Sequence, residues 1–168
     1  MRIAIVTNFL YPEGIGGTEL YCFNLANALI ARGNEVYWFV PNFDKPVTAT
    51  EERGDGIRIV RFAGVKEIGR QDMDFTISSF IKEMKKRDIR IAHFQEFGGF
   101  YGISSELFSA AKQNGISTVV TFHLANYICQ TGMLHFAGAE TCDGRMIPGR
   151  CARCSIFTGM TSSGSLNL

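Results

Sequence analysis

At 168 residues the chain has the size of one ordinary domain, long enough to bury roughly 68–70% of the surface it exposes when unfolded. Hydrophobic residues make up 46% and charged residues 20%, which excludes disorder over most of the length. With 17 basic against 16 acidic residues and no basic run longer than KKR at 85–87, a nucleic-acid backbone is excluded as an electrostatically chosen partner.

Residues 2–8 (RIAIVTN) form a continuous apolar run, the pattern of a strand covered on both faces. Three glycines follow within four positions, in YPEGIGGTEL at 11–20. Cys22, Leu25, Ala26 and Leu29 then fall at i, i+3, i+4 and i+7, an amphipathic helix that Gly33 ends. Residues 35–40 (EVYWFV) are the second strand, closed by Pro41, so the first forty residues make one β-α-β unit with a right-handed crossover. From 41 to 56 the composition turns polar, and EERGDG signals a turn before the strand 57–62 (IRIVRF).

Ile77, Phe80, Ile81 and Met84 predict a second helix, capped by Asp72, and KKR reads as its solvated end, where cations suit the helix dipole. A strand at 90–95, a loop at 96–102, a helix at 104–114 stopped by Gly115 and a strand at 117–123 complete the alternation. Strand and helix alternating throughout predict an α/β fold, a Rossmann-like doubly wound parallel sheet with helices on both faces and strand order 3-2-1-4-5. Ligands of such sheets sit outside the C-terminal strand ends. Residues 124–168 break the pattern, and three parts are expected: 1–124 the sheet domain, 125–156 an irregular segment of the same domain containing cysteines, and 157–168 a flexible tail.

The glycine loop lies between the first strand and the first helix, where unpaired amides and the helix dipole favour an anion. Glycine there serves either φ > 0 or close approach to the main chain. Gly16 and Gly17 are the candidate anion-binding positions, with the plain alternative that they only make the turn, Gly17 or Thr18 acting as cap. The dinucleotide fingerprint G-x-G-x-x-G fits at Gly14 and Gly16 but fails at Glu19, and the second strand ends without an acidic residue, which disfavours nicotinamide and flavin cofactors. No lysine occurs from 1 to 44, which excludes a Walker-type nucleotide loop.

MRIAIVTNFLYPEGIGGTELYCFNLANALIARGNEVYWFVP, then DGIRIVRF, DIRIAHFQ, TVVTFH and the closing CDG and CARC resemble the N-terminal domain of a family 4 (group 1) glycosyltransferase of the GT-B fold. The resemblance implies two Rossmann-like domains facing across a cleft, the first on the acceptor side and the second binding a nucleotide-diphosphate sugar donor. It implies transfer with retention to a glycan, lipid or small-molecule acceptor, with no catalytic metal. It also places Gly16, Gly17 and Thr18 against the donor diphosphate or transferred sugar and His123 near the reacting sugar. The acid that often follows this histidine is Leu124 here, and a satisfied structural histidine is the alternative. Glu96, Phe97 and Tyr101 lie in the loop expected to line the acceptor pocket, with Glu96 read as a base or, alternatively, as a solvated loop carboxylate, and Phe97 and Tyr101 equally suited to covering the core. His93, inside a strand, reads as a hydrogen-bonded structural residue.

The resemblance implies that the donor-binding domain is absent from this chain, which alone is expected to be inactive. The competing reading is a non-catalytic or split-subunit sugar- or nucleotide-binding module. No apolar run reaches the roughly 18 residues of a membrane span and no signal peptide is recognisable, so a cytoplasmic location is expected, compatible with peripheral attachment to the inner face of a membrane.

Cys129, Cys142, Cys151 and Cys154 form C-x12-C-x8-C-x2-C in a segment poor in apolar residues. Four thiolates would suit a structural zinc, and CARC has the close spacing such sites use; free thiols and disulfides are the alternatives. His135 could replace one thiolate, whereas Cys22 lies on the first helix's apolar stripe and reads as core. CARC opens no evident helix, which argues against thioredoxin-like chemistry.

Overall fold

The computed structural model describes residues 1–42, 49–52, 55–63, 70–97 and 103–158. The chain divides into two compact units, Met1–Thr121 and Phe122–Leu168. The first contains β1 (Arg2–Val6), α1 (Gly17–Ala31), β2 (Glu35–Asn42), β3 (Ala49–Glu52), β4 (Arg58–Ala63), α2 (Arg70–Lys86), β5 (Ile91–Gln95), α3 (Ser105–Gln113) and β6 (Ser117–Thr121). They build a six-stranded sheet in the order β3-β4-β2-β1-β5-β6. Five of these strands are parallel and follow the expected 3-2-1-4-5 order, while β3 adds to the β4 edge antiparallel.

Each central strand sends alternate side chains to opposite faces, and both faces are buried, which is why their sequences read as unbroken apolar runs. Ala4, Val6, Phe39 and Phe94 face one core cluster, which takes Phe80 and Met84 from α2 and Leu107 from α3. Ile5, Trp38, Val40 and Ile59 face the other, which takes Cys22 and Ala26 from α1. In the first cluster Phe80 makes edge contacts to Phe62 and Phe39 at centroid distances of 5.1 and 5.8 Å. Fully burying a phenylalanine contributes about 1.5–3 kcal/mol, so this aromatic group is a main source of adhesion between α2 and the sheet.

Several boundaries differ from the sequence pattern. β1 stops at Val6 rather than Asn8 because the Thr7 hydroxyl donates to the Phe9 carbonyl at 2.6 Å and turns the chain. β6 stops at Thr121 rather than His123. α2 begins at Arg70, which puts Asp72 inside its first turn rather than at the cap. β3 lies in the polar stretch read as a connection, because an edge strand pairs through its main chain and needs no apolar face.

The second unit contains a 3-10 turn (Ala125–Tyr127), a hairpin of β7 (His135–Phe136) and β8 (Glu140–Thr141), and α4 (Pro148–Phe157). The expectation that CARC opens no helix is corrected: Cys151 to Cys154 lie in α4, with Pro148 at its first turn. Among the described residues no helix is long and apolar enough to cross a membrane.

Candidate functional site

The C-terminal edge of the sheet is built from the loop after β1 and the residues after β5, two strands paired in register Val6 to Phe94. The β1 loop is tied down at several points. Trp38 Nε1 donates to Thr7 Oγ1 at 2.7 Å, the Asn8 side chain accepts the Ile103 amide at 2.8 Å, and the Gly14 amide donates to the Leu10 carbonyl at 2.8 Å. The Tyr11 ring packs on Phe23 of α1 at 5.2 Å, and Glu13 forms an ion pair with Arg61 of β4. Arg61 and Asn8 are site-shaping residues that the sequence reading missed.

The loop delivers Gly16 as the N-cap of α1 with φ −146° and ψ 172°, extended backbone open to any residue, and no side chain hydrogen-bonds at that cap. The first helical bond runs from the Leu20 amide to the Gly16 carbonyl at 3.1 Å, so the amides of Gly17, Thr18 and Glu19 precede the intrahelical ladder at the positive end of the dipole. Gly16 and Gly17 are exposed and Thr18 is half-buried.

The three glycines have different local reasons. None of Gly14, Gly16 and Gly17 has a positive φ. A Cβ on Gly14 would sit 2.9 Å from Phe9 Cβ, and one on Gly16 would run into the Glu19 carboxylate. A Cβ on Gly17 would meet nothing within 4 Å among the described residues. Gly14 therefore serves internal packing and Gly16 leaves room for the Glu19 side chain, whereas Gly17 leaves main chain that meets no other described residue.

After β5, Glu96 is held at φ +67° with its amide donating to the Thr121 carbonyl at 2.9 Å. Left-handed backbone costs a non-glycine residue about 1 kcal/mol or more and collects at functional positions. The Phe97 ring packs on Phe94 and Phe108 at 6.3 and 6.0 Å, which serves its core-covering alternative. Tyr101 lies outside the described residues. His93 Nε2 is 2.7 Å from Thr121 Oγ1, a hydrogen-bonded structural histidine as the sequence suggests.

The structure thus brings Gly16, Gly17 and Thr18 to the same sheet edge as Glu96 and Phe97. His123 belongs to the second unit, half-buried between the exposed Phe122 and Leu124, and the Phe122 and Tyr127 rings pack at 4.4 Å.

A family model described as Glycosyltransferase Family 4 matches residues 15–140, three quarters of the chain and the whole of the first helix. The chain belongs to glycosyltransferase family 4. Its fold is similar to a solved sucrose-phosphate synthase from Thermosynechococcus elongatus, with a TM-score of 0.59, 18% identity, 76% of this chain covered and 34% of that one. A second, twinned structure titled with the same synthase covers 95% of this chain and 97% of its own, with a TM-score of 0.50 and 15% identity. At these identities the likeness is one of fold, and the family 4 chain spans about a third of the length of the first structure. Comparison with curated proteins finds no match.

All five cysteines of this family 4 chain are free thiols, and Cys129, Cys142, Cys151 and Cys154 line one cavity together with His135. The Cys129 thiol is lowered to about 7, chiefly by the Thr131 hydroxyl and further by main-chain amides of Leu134, Thr131 and Met133. Burial, with a contribution from the Glu19 charge, pushes the Cys22 thiol up to about 12, in keeping with its place in the core.

Proposed function

We propose that the chain is the acceptor-side domain of a retaining, nucleotide-sugar-dependent glycosyltransferase. The open first turn of α1 at Gly16, Gly17 and Thr18 receives the donor's diphosphate or the sugar beside it. The observation that carries this reading is Gly17, whose missing side chain answers to no torsion angle and to no neighbouring described atom. A bound anion at bare amides ahead of the helical ladder is what that omission serves.

In the reaction the anomeric C–O bond breaks, the nucleoside diphosphate leaves with the bonding electrons, and the acceptor oxygen bonds the anomeric carbon and gives its proton to the departing phosphate oxygen. Aligned amides and the dipole stabilise the charge that grows on the leaving diphosphate, the kind of preorganised electrostatic help that is worth several kcal/mol in a closed site. His123 supplies a hydrogen bond to a sugar hydroxyl or to the departing oxygen. Glu96, held in a costly conformation at the same sheet edge as the glycine loop, positions an acceptor hydroxyl. A second, donor-binding domain completes the cleft and chooses base and sugar.

The test is slow hydrolysis of UDP-, GDP- and ADP-sugars by the full gene product, which needs only water as acceptor, with anomeric configuration read by proton NMR. Retention with one donor class, lowered at least tenfold by His123→Ala, is the expected result. Inversion, or an unchanged rate in that variant, would refute the reading.

A further inference from the structure

The second unit has almost no apolar interior. Cys154 and Ser155 are its only buried residues among those described, and neither core cluster includes a residue beyond Val120. Met133, Met146, Ile156 and Phe157 are all more than 60% exposed. A segment with so little burial needs a staple of another kind to hold a hairpin and a helix together.

The cysteines are placed to provide it. Cys129 after the 3-10 turn, Cys142 after β8, and Cys151 and Cys154 on α4 line one cavity of about 30 Å³. Cys151 and Cys154 stand at i and i+3 of α4, on neighbouring positions of one helix face. The Ala137 amide donates to Cys154 Sγ at 3.2 Å, and Cys129 Sγ lies 3.2 Å from the Thr131 hydroxyl. Leu134 and Ala137 are both non-glycine residues in left-handed backbone, at φ +49° and +50°. Such strain persists only where the surroundings over-determine it, and at Ala137 it turns the amide toward Cys154 Sγ. A protonated thiol is a weak acceptor, whereas outer hydrogen bonds of this kind orient and stabilise ligating thiolates.

We propose that Cys129, Cys142, Cys151 and Cys154 bind one zinc ion that holds the second unit folded. Binding replaces four S–H bonds by four Zn–S bonds and releases four protons to solvent, with no change of oxidation state. The resulting centre carries two net negative charges, and Arg145 and Arg150, which line the cavity and share Asp143 as ion-pair partner, offset one of them. As the side chains stand, no three metal-binding groups meet at ion-holding range among the described residues. Closure onto the ion takes rotation about χ1, which carries a sulfur on the order of 3 Å between staggered positions. Three of the four cysteines lie past residue 140, where the family match ends. The site is an addition to the glycosyltransferase reading and independent of it.

The chain purified without chelator should contain one zinc by elemental analysis, released on titration with p-mercuribenzoate. Cys22→Ser and His135→Ala should keep the metal, while Cys142→Ser and Cys154→Ser should lose it and melt at lower temperature. Because these two variants could fail to fold, the wild-type chain refolded with cobalt supplies a second reading, expected to show the charge-transfer and d–d bands of a tetrahedral four-thiolate site. Metal-free protein with all five thiols reactive after unfolding, or metal-free protein with fewer than five because pairs have oxidised, overturns the proposal. Loss of metal in His135→Ala overturns the four-thiolate ligand set.

Discussion

Gly17→Ala separates a glycine kept for the fold from one kept for a ligand. The new Cβ meets nothing within 4 Å among the described residues and the backbone there is ordinary, so no strain is expected from it. Alanine in a helix is more favourable than glycine by roughly 0.5–1 kcal/mol, which for a chain of this size raises Tm by about 1–4 °C. The same methyl group stands where a phosphate would approach the first-turn amides. Losing one charge-assisted hydrogen bond costs about 1.5–3 kcal/mol, or roughly 10- to 100-fold in affinity. The assay is a thermal melt paired with titration of UDP and UDP-glucose, followed through amide shifts in NMR so that weak binding is still read. A variant that melts higher yet binds at least tenfold more weakly is expected. A fall in Tm of several degrees would show an internal reason for the glycine, and unchanged binding would remove the ligand from Gly17.

Gly14→Ala should behave in the opposite way, destabilising by about 1–3 kcal/mol because its Cβ would crowd Phe9 at 2.9 Å; a melt at the wild-type temperature would contradict the packing described. Glu96→Gly relieves a left-handed residue and should raise stability by about 1 kcal/mol while lowering turnover in the full gene product, whereas equal losses of stability and turnover would make Glu96 a structural residue. Cys22, pushed up to about 12 by burial, should stay unreactive toward Ellman's reagent until the chain unfolds. Its raised value also sets a sign for pH. The Cys22 contribution is fully present below the unfolded value near 9 and is lost as pH climbs toward 12, by about 1.4 kcal/mol per pH unit, so denaturation midpoints should fall over that window in wild type more than in Cys22→Ala.

The parallel sheet was legible because RIAIV and EVYWFV are apolar runs buried on two faces, while IRIVRF, with Arg58 and Arg61 partly exposed, reads as an alternating strand. The edge strand β3 was not, since Ala49–Glu52 pairs through backbone alone. α4 escaped because Pro148-Gly149 resembles a turn and the helix carries little apolar face, even though proline suits a first turn. At the glycine loop, the position between β1 and α1 could be read from glycine spacing and helix polarity. The tethers could not: Glu13 with Arg61 and Asn8 with Ile103 join residues 48 and 95 positions apart, and no local pattern announces such pairs. The left-handed backbone of Glu96 was equally hidden, because composition flags that conformation only where glycine or asparagine stands. The close pair in CARC was legible from its spacing, but the convergence of all four cysteines on one cavity and the amide-to-sulfur bond from Ala137 needed coordinates.

The most direct measurement is a nitrogen-15 NMR titration of this chain with inorganic pyrophosphate and with UDP-glucose, following every backbone amide. The amides of Gly17, Thr18 and Glu19 should move first and saturably with both probes, and should stop responding in Gly17→Ala. Shifts confined to other residues, or none at these three amides at saturating probe, would contradict a donor diphosphate at the start of α1.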